Sequence, residues 1–218
     1  MNGFPGSPRL VRGGIVIADP VSLAVRRVIA LQYNPDTLTR TVQAQGAAGG
    51  GERSEALRLV GPPVETIKLD AELDATDALE SAQAGAAVLE LGLHPQLAAL
   101  ESLLSPTVDD LVRANTRAGA GSIEIAPAQA PLSIFVWGAQ RVLPVRITDF
   151  SVVEDAFDVN LNPMRARLSI TMRVLSVDDL GFSHPGGNVY LGHLQRKQVQ
   201  AGKLATIGLS ALGIGGLG

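Results

Sequence analysis

The sequence predicts a mainly β protein of the α+β class, with one short helix inside the β region and a second helix near the C-terminus. The chain has 218 residues, of which 46% are hydrophobic and 18% charged, so it can bury a substantial core. Only 4% are aromatic, which leaves that core to Val, Ile, Leu and Ala. Apolar and charged residues alternate along Val64–Ala75 and Arg165–Val177, the period of two expected for strands with one packed face.

The N-terminal half contains the first predicted strands and the turns that separate them. Asp19-Pro20 marks a turn, and the strands on either side of it are expected to form a hairpin. Asn34-Pro35-Asp36 ends the second strand, because proline removes a hydrogen-bond donor and restricts the preceding residue. Gly46–Gly51 is the best candidate for a flexible surface loop. The predicted strands are Leu10–Ala18, Val25–Tyr33, Thr37–Gln45 and Val64–Ala75.

The second half alternates between helical and extended patterns. An Ala-rich stretch, Asp77–Leu91, precedes a short helix over Pro95–Leu104, which has proline in its first turn and leucines at helical spacing. Residues 107–130 are mixed, with a loop at residues 118–122. The remaining predicted strands are Pro131–Gly138, Val142–Asp155 and Arg165–Val177.

The C-terminal segment is predicted to lie outside the β domain. The predicted units are a β domain over residues 1–178, a linker over 179–188 rich in Gly and Pro, and a helical arm over 189–218 with a Gly-rich end. A helix this short is marginal in water and needs a surface. That surface belongs either to a neighbouring subunit or to the chain's own domain, and the sequence leaves both interpretations open.

The residues that most enzyme and metal sites need are missing or scattered. There is no cysteine, and His94, His184 and His193 lie at spacings that do not fit a metal site. Neither a nucleophile elbow nor a phosphate-binding loop is present. Asp70 and Asp74 give a weak hydrolase hypothesis, and with Glu72 they give a weak cation site. We therefore expect no enzyme activity, catalytic residue, metal or cofactor.

The charge and hydropathy of the chain limit its partners and its location. The net charge is −3 without long runs of either sign, so we expect no nucleic-acid partner. Proline and glycine interrupt the N-terminus where a signal peptide needs an apolar stretch. No apolar run reaches the roughly 18 residues of a membrane span, so we expect no direct membrane insertion.

Three segments in order resemble the contractile injection system tube-protein family, which contributes to the baseplate and inner tube of phage-tail-like particles. The first is Ile29–Arg40, a strand that runs into Tyr33-Asn34-Pro35-Asp36-Thr37-Leu38. The second is Pro131–Gly138, a strand that ends in Trp137-Gly138. The third is Phe157–Val174, in which Pro163-Met164-Arg165-Ala166 enters a closing strand. Together they span roughly residues 10–178.

The resemblance implies a fold like that of phage tail-tube proteins, with two packed antiparallel sheets and a helix against them. It also implies a homohexameric ring of β-barrel-like subunits and three partners: a spike protein, an inner-tube protein and baseplate wedge proteins. Assembly is then expected in the bacterial cytoplasm. Many family members carry a C-terminal LysM module, and the roughly 40 residues after Val177 show no such pattern.

Nine residues are predicted to contact neighbouring subunits, and Trp137 is interpreted mainly as a core residue. The nine comprise the Asn-Pro turn, arginines that repeat along one face of the last strand, and apolar residues of the C-terminal helix. An ordinary turn and a solvated strand face are the competing explanations for the first two groups. The residues are Tyr33, Asn34, Pro35, Arg165, Arg167, Arg173, Tyr190, Leu194 and Leu204.

Two functional hypotheses outrank the enzyme. The leading one is a structural ring subunit that joins the spike and baseplate to the inner tube, as a tube initiator or spike adaptor. The alternative is a baseplate docking module that binds spike or wedge proteins through its C-terminal helix without forming its own ring. The mass of the assembly in solution separates them, since a module stays monomeric.

Overall fold

In the described parts of the chain, hydrogen bonds join seven strands into one antiparallel sheet with the order β2-β1-β5-β6-β7-β4-β3. The computed structural model describes residues 11–46, 58–76, 89–119, 130–204 and 208–216. The predicted loop at Gly46–Gly51 and most of the Ala-rich stretch Asp77–Leu91 lie outside these residues. The strands are β1 Gly14–Ala18, β2 Val25–Ala30, β3 Leu38–Gln43, β4 Val64–Asp74, β5 Leu132–Val136, β6 Val142–Phe157 and β7 Pro163–Val174.

The mainly β, α+β class is confirmed, and the predicted β1–β2 hairpin forms. The resemblance implied two packed sheets, whereas the described strands form one sheet. The 16-residue strand β6 joins the two halves of this sheet. Its first residues pair with β5, and the rest pair with β7. A bulge between Ile147 and Asp149 falls in this strand, and bulges bend a strand and increase its twist.

One face of β4 and β7 forms the centre of the core, as the alternating patterns predict. Ile67, Ile170 and Met172 are fully buried, and the residues that alternate with them are exposed or half-buried. Residues from β1, β4, β5, β6 and β7 belong to the same apolar cluster. This main cluster therefore extends across five strands, and a second small cluster of Ala18, Leu132 and Ile134 lies between β1 and β5.

The helices are α1 His94–Glu101, α2 Val108–Gly119, α3 Val177–Leu180 and α4 Pro185–Ala201, and a 3-10 turn follows at Leu209–Leu212. Helix α1 confirms the prediction over Pro95–Leu104 and buries Leu97 and Leu100. Helix α2 was not predicted, and none of its residues is buried. The sequence does contain a capping residue for it, Thr107. In the structure the Thr107 hydroxyl accepts a hydrogen bond from the Asp110 N–H, as an N-cap residue does.

The C-terminal helix starts earlier than predicted, inside the segment expected to be a linker. Pro185 occupies its first turn, and the His184 side chain caps it by accepting a hydrogen bond from the Gly186 N–H at 3.0 Å. A Cβ atom built on Gly187 would lie 2.2 Å from the Gly181 carbonyl oxygen. Glycine is needed there for close approach of α4 to the turn before it, so this part of the Gly-rich segment packs tightly.

Helix α4 lies on its own β domain. Tyr190 and His193 are each only 5% exposed, and Leu191 and Leu194 pack against the core cluster. These contacts agree with the second interpretation of the helix, a packed local element. The arm interpretation applies only to the residues that follow α4.

Candidate interaction surface

The polar side of the sheet carries a groove of about 860 Å³ beside the turn between β2 and β3. We call it the outer-face groove. It brings together Tyr33, Asn34, Pro35 and Arg167, which are far apart in the sequence and were all predicted to contact a neighbouring subunit. The further polar residues that line it are Asp36, Thr37, Asp70, Glu72, Ser151 and Ser169.

Side-chain amides fix the turn that forms one wall of the groove. Asn34 accepts a hydrogen bond from the Gly13 N–H and donates one to the Val11 carbonyl, both at 2.8 Å. Gln32 makes the same two-way pairing with the N–H and carbonyl of Asp74, again at 2.8 Å. The turn is therefore held to the segment before β1 and to the end of β4.

Asn34 thus has an intramolecular role, which supports the turn explanation of its motif. The role of Gln32 was missed, because a single glutamine in a strand-like stretch carries no sequence signal for a contact 42 residues away. Tyr33 is 49% exposed and lines both the groove and the adjoining pocket that holds Arg165.

The three predicted arginines have different surroundings. Arg165 reaches Asp74 at 3.3 Å, and Arg173 reaches Asp179 at 2.7 Å. Arg167 is exposed and, within the described part of the chain, makes no hydrogen bond or ion pair, although the strand register places it opposite Glu72. An exposed ion pair contributes little to stability, so the pair of Arg165 with Asp74 adds little to the fold, and the interface role of these arginines stays a prediction.

The three predicted contact residues of the C-terminal segment differ in their exposure to solvent. Tyr190 is buried, and Leu194 packs against the core, so both side chains are used within the chain. Leu204 is 81% exposed. The segment of 208–216 beyond it is exposed throughout.

The carboxylates of β4 have different surroundings: Asp70 and Glu72 line the outer-face groove, and Asp74 lines the adjoining pocket. Hydrogen bonds from the Thr76 hydroxyl and N–H, together with Arg165, hold the pKa of Asp74 below its ordinary value. Asp74 therefore stays ionised and occupied with a local turn. Among the residues described, no cluster of His, Asp and Glu has the composition of a metal site.

Trp137 lies against the core at the end of β5, as predicted. Its ring stacks on Phe135 with the ring centroids 5.9 Å apart, and it packs against the main apolar cluster. Gly138 follows with φ +71°, so the bend after the tryptophan needs a glycine. This part of the Trp-Gly motif therefore has a structural explanation.

A buried ion-pair network joins α4 to the sheet. The Glu65 side chain is 4% exposed and pairs with Arg40 at 2.7 Å and with Lys197 at 3.2 Å. Burial opposes its ionisation, but the hydrogen bond from Arg40 and the charges of Lys197 and Arg40 keep its pKa below the ordinary value. Strands β3 and β4 are thereby tied to α4.

None of the described helices has the length and apolar composition to cross a membrane.

Comparison with known proteins gives distant structural likenesses. No protein-family model and no curated protein matches the chain. It is similar to a chain in the tail of an empty GTA particle solved with C6 symmetry. The two chains are 11% identical, the alignment covers 75% of this chain and 90% of that chain, and the TM-score is 0.28. A chain in the virion of a native gene transfer agent particle shows 12% identity, coverage of 75% and 91%, and a TM-score of 0.26. TM-scores this low do not establish a shared fold.

Proposed function

We propose that this chain is a structural ring subunit of a contractile injection system, which joins the spike and baseplate to the inner tube. The observation that carries the proposal is that the described sheet ends in two open edges, strands β2 and β3. An open edge presents unpaired backbone donors and acceptors to another strand. If β2 of one copy meets β3 of the next, the contact is head-to-tail, and a ring forms when the rotation closes.

The outer-face groove supports the same proposal. It holds the Tyr33-Asn34-Pro35 turn that carries the family resemblance, next to an arginine without a partner among the described residues. In a ring, Arg167 would receive a carboxylate from the neighbouring copy or from the tube protein. By the resemblance, the ring is a homohexamer that assembles in the bacterial cytoplasm, with the spike, inner-tube and wedge proteins as partners.

The test is the mass and shape of the purified full-length chain, alone and mixed with its spike and tube proteins. We expect closed six-fold rings in electron micrographs and a matching mass in sedimentation velocity. Arg167→Glu should prevent assembly without lowering the melting temperature, because the side chain is exposed. Glu101→Lys on α1, also an exposed charge reversal, is the control and should assemble normally.

A chain that stays monomeric with every partner present would refute the ring. One observation then favours the alternative, a docking module that acts through its C-terminal end. Leu204 and Leu212 are 81% and 74% exposed in a segment that has little contact with the domain. Removal of residues 203–218 would abolish partner binding by such a module and leave ring formation intact in a ring subunit.

A further inference from the structure

A small pocket of about 160 Å³ lies between α4, strand β3 and the turn from β5 to β6, apart from the outer-face groove. Its walls are basic: Arg40, Arg141 and Lys197 all line it, and His193 lies at its inner side. Among the described residues, no acidic side chain lines the pocket. The nearby carboxylate of Glu65 is already engaged by Arg40 and Lys197.

His193 is the first sign that the pocket takes a ligand. The residue is only 5% exposed, and neither ring nitrogen has a hydrogen-bond partner within the part of the chain that the structure describes. A buried polar group without a partner costs roughly 1–3 kcal/mol, so such groups in native proteins nearly always have one. A group that enters the pocket from outside would supply it.

Arg141 is the second sign, and it is independent of the first. Its guanidinium is half-buried and makes no hydrogen bond or ion pair with any described residue. Burial and the nearby charge of Arg40 lower its pKa, and Glu65 only partly offsets them. An unpaired, partly desolvated cation is an unfavourable arrangement until an anion approaches it.

We propose that this pocket binds an oxyanion of the carboxylate or phosphate type, which accepts hydrogen bonds from Arg141 and from one ring nitrogen of His193. A water molecule would satisfy the histidine but would leave the positive charge of Arg141 uncompensated. The planar guanidinium donates two parallel hydrogen bonds to such an anion, and Lys197 adds attraction at the rim. The inference does not depend on the proposed function.

Binding is expected to strengthen as the pH falls. Burial and then the charges of Lys197, Arg196 and Arg40 lower the pKa of His193 to about 4, while Glu65 acts in the opposite direction. A bound anion adds a second negative charge beside the ring and raises that pKa. Protonation and anion binding therefore favour each other.

Two sources can supply this chemistry: a free anion, or an acidic side chain of a second copy of the chain. The first experiment uses sulfate, whose charge is constant over the relevant pH range, with sodium chloride at matched ionic strength as the reference. The readout is the NMR signal of the His193 ring. Melting temperature is unsuitable, because sulfate stabilises most proteins by exclusion from their surface.

We expect a saturable shift of the His193 signals and a raised pKa of that ring with sulfate. Arg141→Gln should weaken the apparent affinity for sulfate at least tenfold, because it removes one charge-assisted bidentate contact. Each tenfold loss of affinity corresponds to about 1.4 kcal/mol of binding free energy. Arg141→Lys keeps the charge and should retain intermediate binding, and it provides the comparison if the glutamine variant fails to fold. Arg146→Gln removes an exposed arginine of β6 outside the pocket and should bind like the parent.

The second experiment is sedimentation velocity of the parent and Arg141→Gln over a range of concentrations. If the parent self-associates, Arg141→Gln does not, and sulfate dissociates the parent, then the ligand is an acidic side chain of a second copy. Sulfate binding to a monomer of unchanged mass identifies a free anion. Two results would overturn the proposal. In the first, the His193 signals do not saturate with sulfate, and the parent and Arg141→Gln have the same mass. In the second, the parent and Arg141→Gln bind sulfate equally.

Discussion

At the scale of single residues, Glu65 makes the contact that is most sensitive to substitution. We expect Glu65→Gln to lower the free energy of unfolding by roughly 2–3 kcal/mol, because it leaves two cations without their counter-charge. This loss of stability is smaller than that expected for a completely buried ion pair, because Arg40 and Lys197 are partly exposed to solvent. Urea denaturation measures the loss. Glu72→Gln, on the exposed side of the same strand, should change stability by less than about 0.5 kcal/mol, and equal losses in the two variants would contradict the assignment.

His193 gives the chain a pH-dependent stability. Its folded pKa of about 4 lies below the ordinary value of 6.5, so the unfolded chain takes up the proton first. This contribution is therefore complete above about pH 6.5 and is lost as the pH falls towards 4, by roughly 2–3 kcal/mol in total. The difference in unfolding free energy between the parent and His193→Gln, measured across that range, should have this slope. A constant difference would mean that folding does not lower the pKa of this ring.

At the scale of elements, two glycines of α4 should respond in opposite directions to the same substitution. Gly187→Ala places a methyl group against the Gly181 carbonyl oxygen at 2.2 Å, so the backbone must move and the melting temperature should fall by several degrees. At Gly192 the nearest atom to an added Cβ is an Arg196 side-chain nitrogen at 3.7 Å. Gly192→Ala should stabilise the helix by up to about 1 kcal/mol. If both variants melt alike, α4 does not pack closely against the turn before it.

Removal of the C-terminal helix separates the two interpretations of that segment. Because Tyr190 is buried and Lys197 pairs with Glu65, deletion of residues 189–218 should lower the melting temperature by many degrees. Deletion of 208–218 alone should leave it unchanged, since residues 208–216 are exposed. Thermal unfolding followed by circular dichroism measures both. A large deletion that melts like the parent would restore the arm interpretation for the whole helix.

At the scale of the whole molecule, the shared core predicts one cooperative unfolding transition. Residues of five strands belong to the same apolar cluster, as do Leu97 of α1 and Tyr190 of α4. Unfolding should therefore coincide when followed by far-ultraviolet circular dichroism and by the fluorescence of Trp137. Two separated transitions would instead fit independent units on either side of residues 179–188.

Assembly is the other property of the whole molecule. The two edge strands and the outer-face groove lie on the surface, while the arginines of β7 project from a rigid sheet. A site on a rigid element needs little ordering when a partner binds, which favours affinity. This arrangement suits a building block whose contacts are repeated around a closed ring.

Elements whose side-chain pattern is local could be predicted from the amino-acid sequence. Alternation along β4 and β7 predicted which residues are buried, because a strand places successive side chains on opposite faces. Proline in the first turn and spaced leucines predicted α1. Tyr33, Asn34 and Pro35 were predicted to contact a neighbouring subunit, with an ordinary turn as the competing interpretation, and the interface role stays a prediction.

Contacts between residues that are distant in the chain are evident only in the folded protein. The pairing of Gln32 with Asp74 and the network of Arg40, Glu65 and Lys197 join residues that are between 25 and 132 positions apart. No local pattern encodes such contacts, since they depend on the order of strands in the sheet. The Gly-rich segment before α4 shows the same limit. Glycine permits both a flexible linker and a close approach of two backbones, and only the packing of α4 on the sheet distinguishes them.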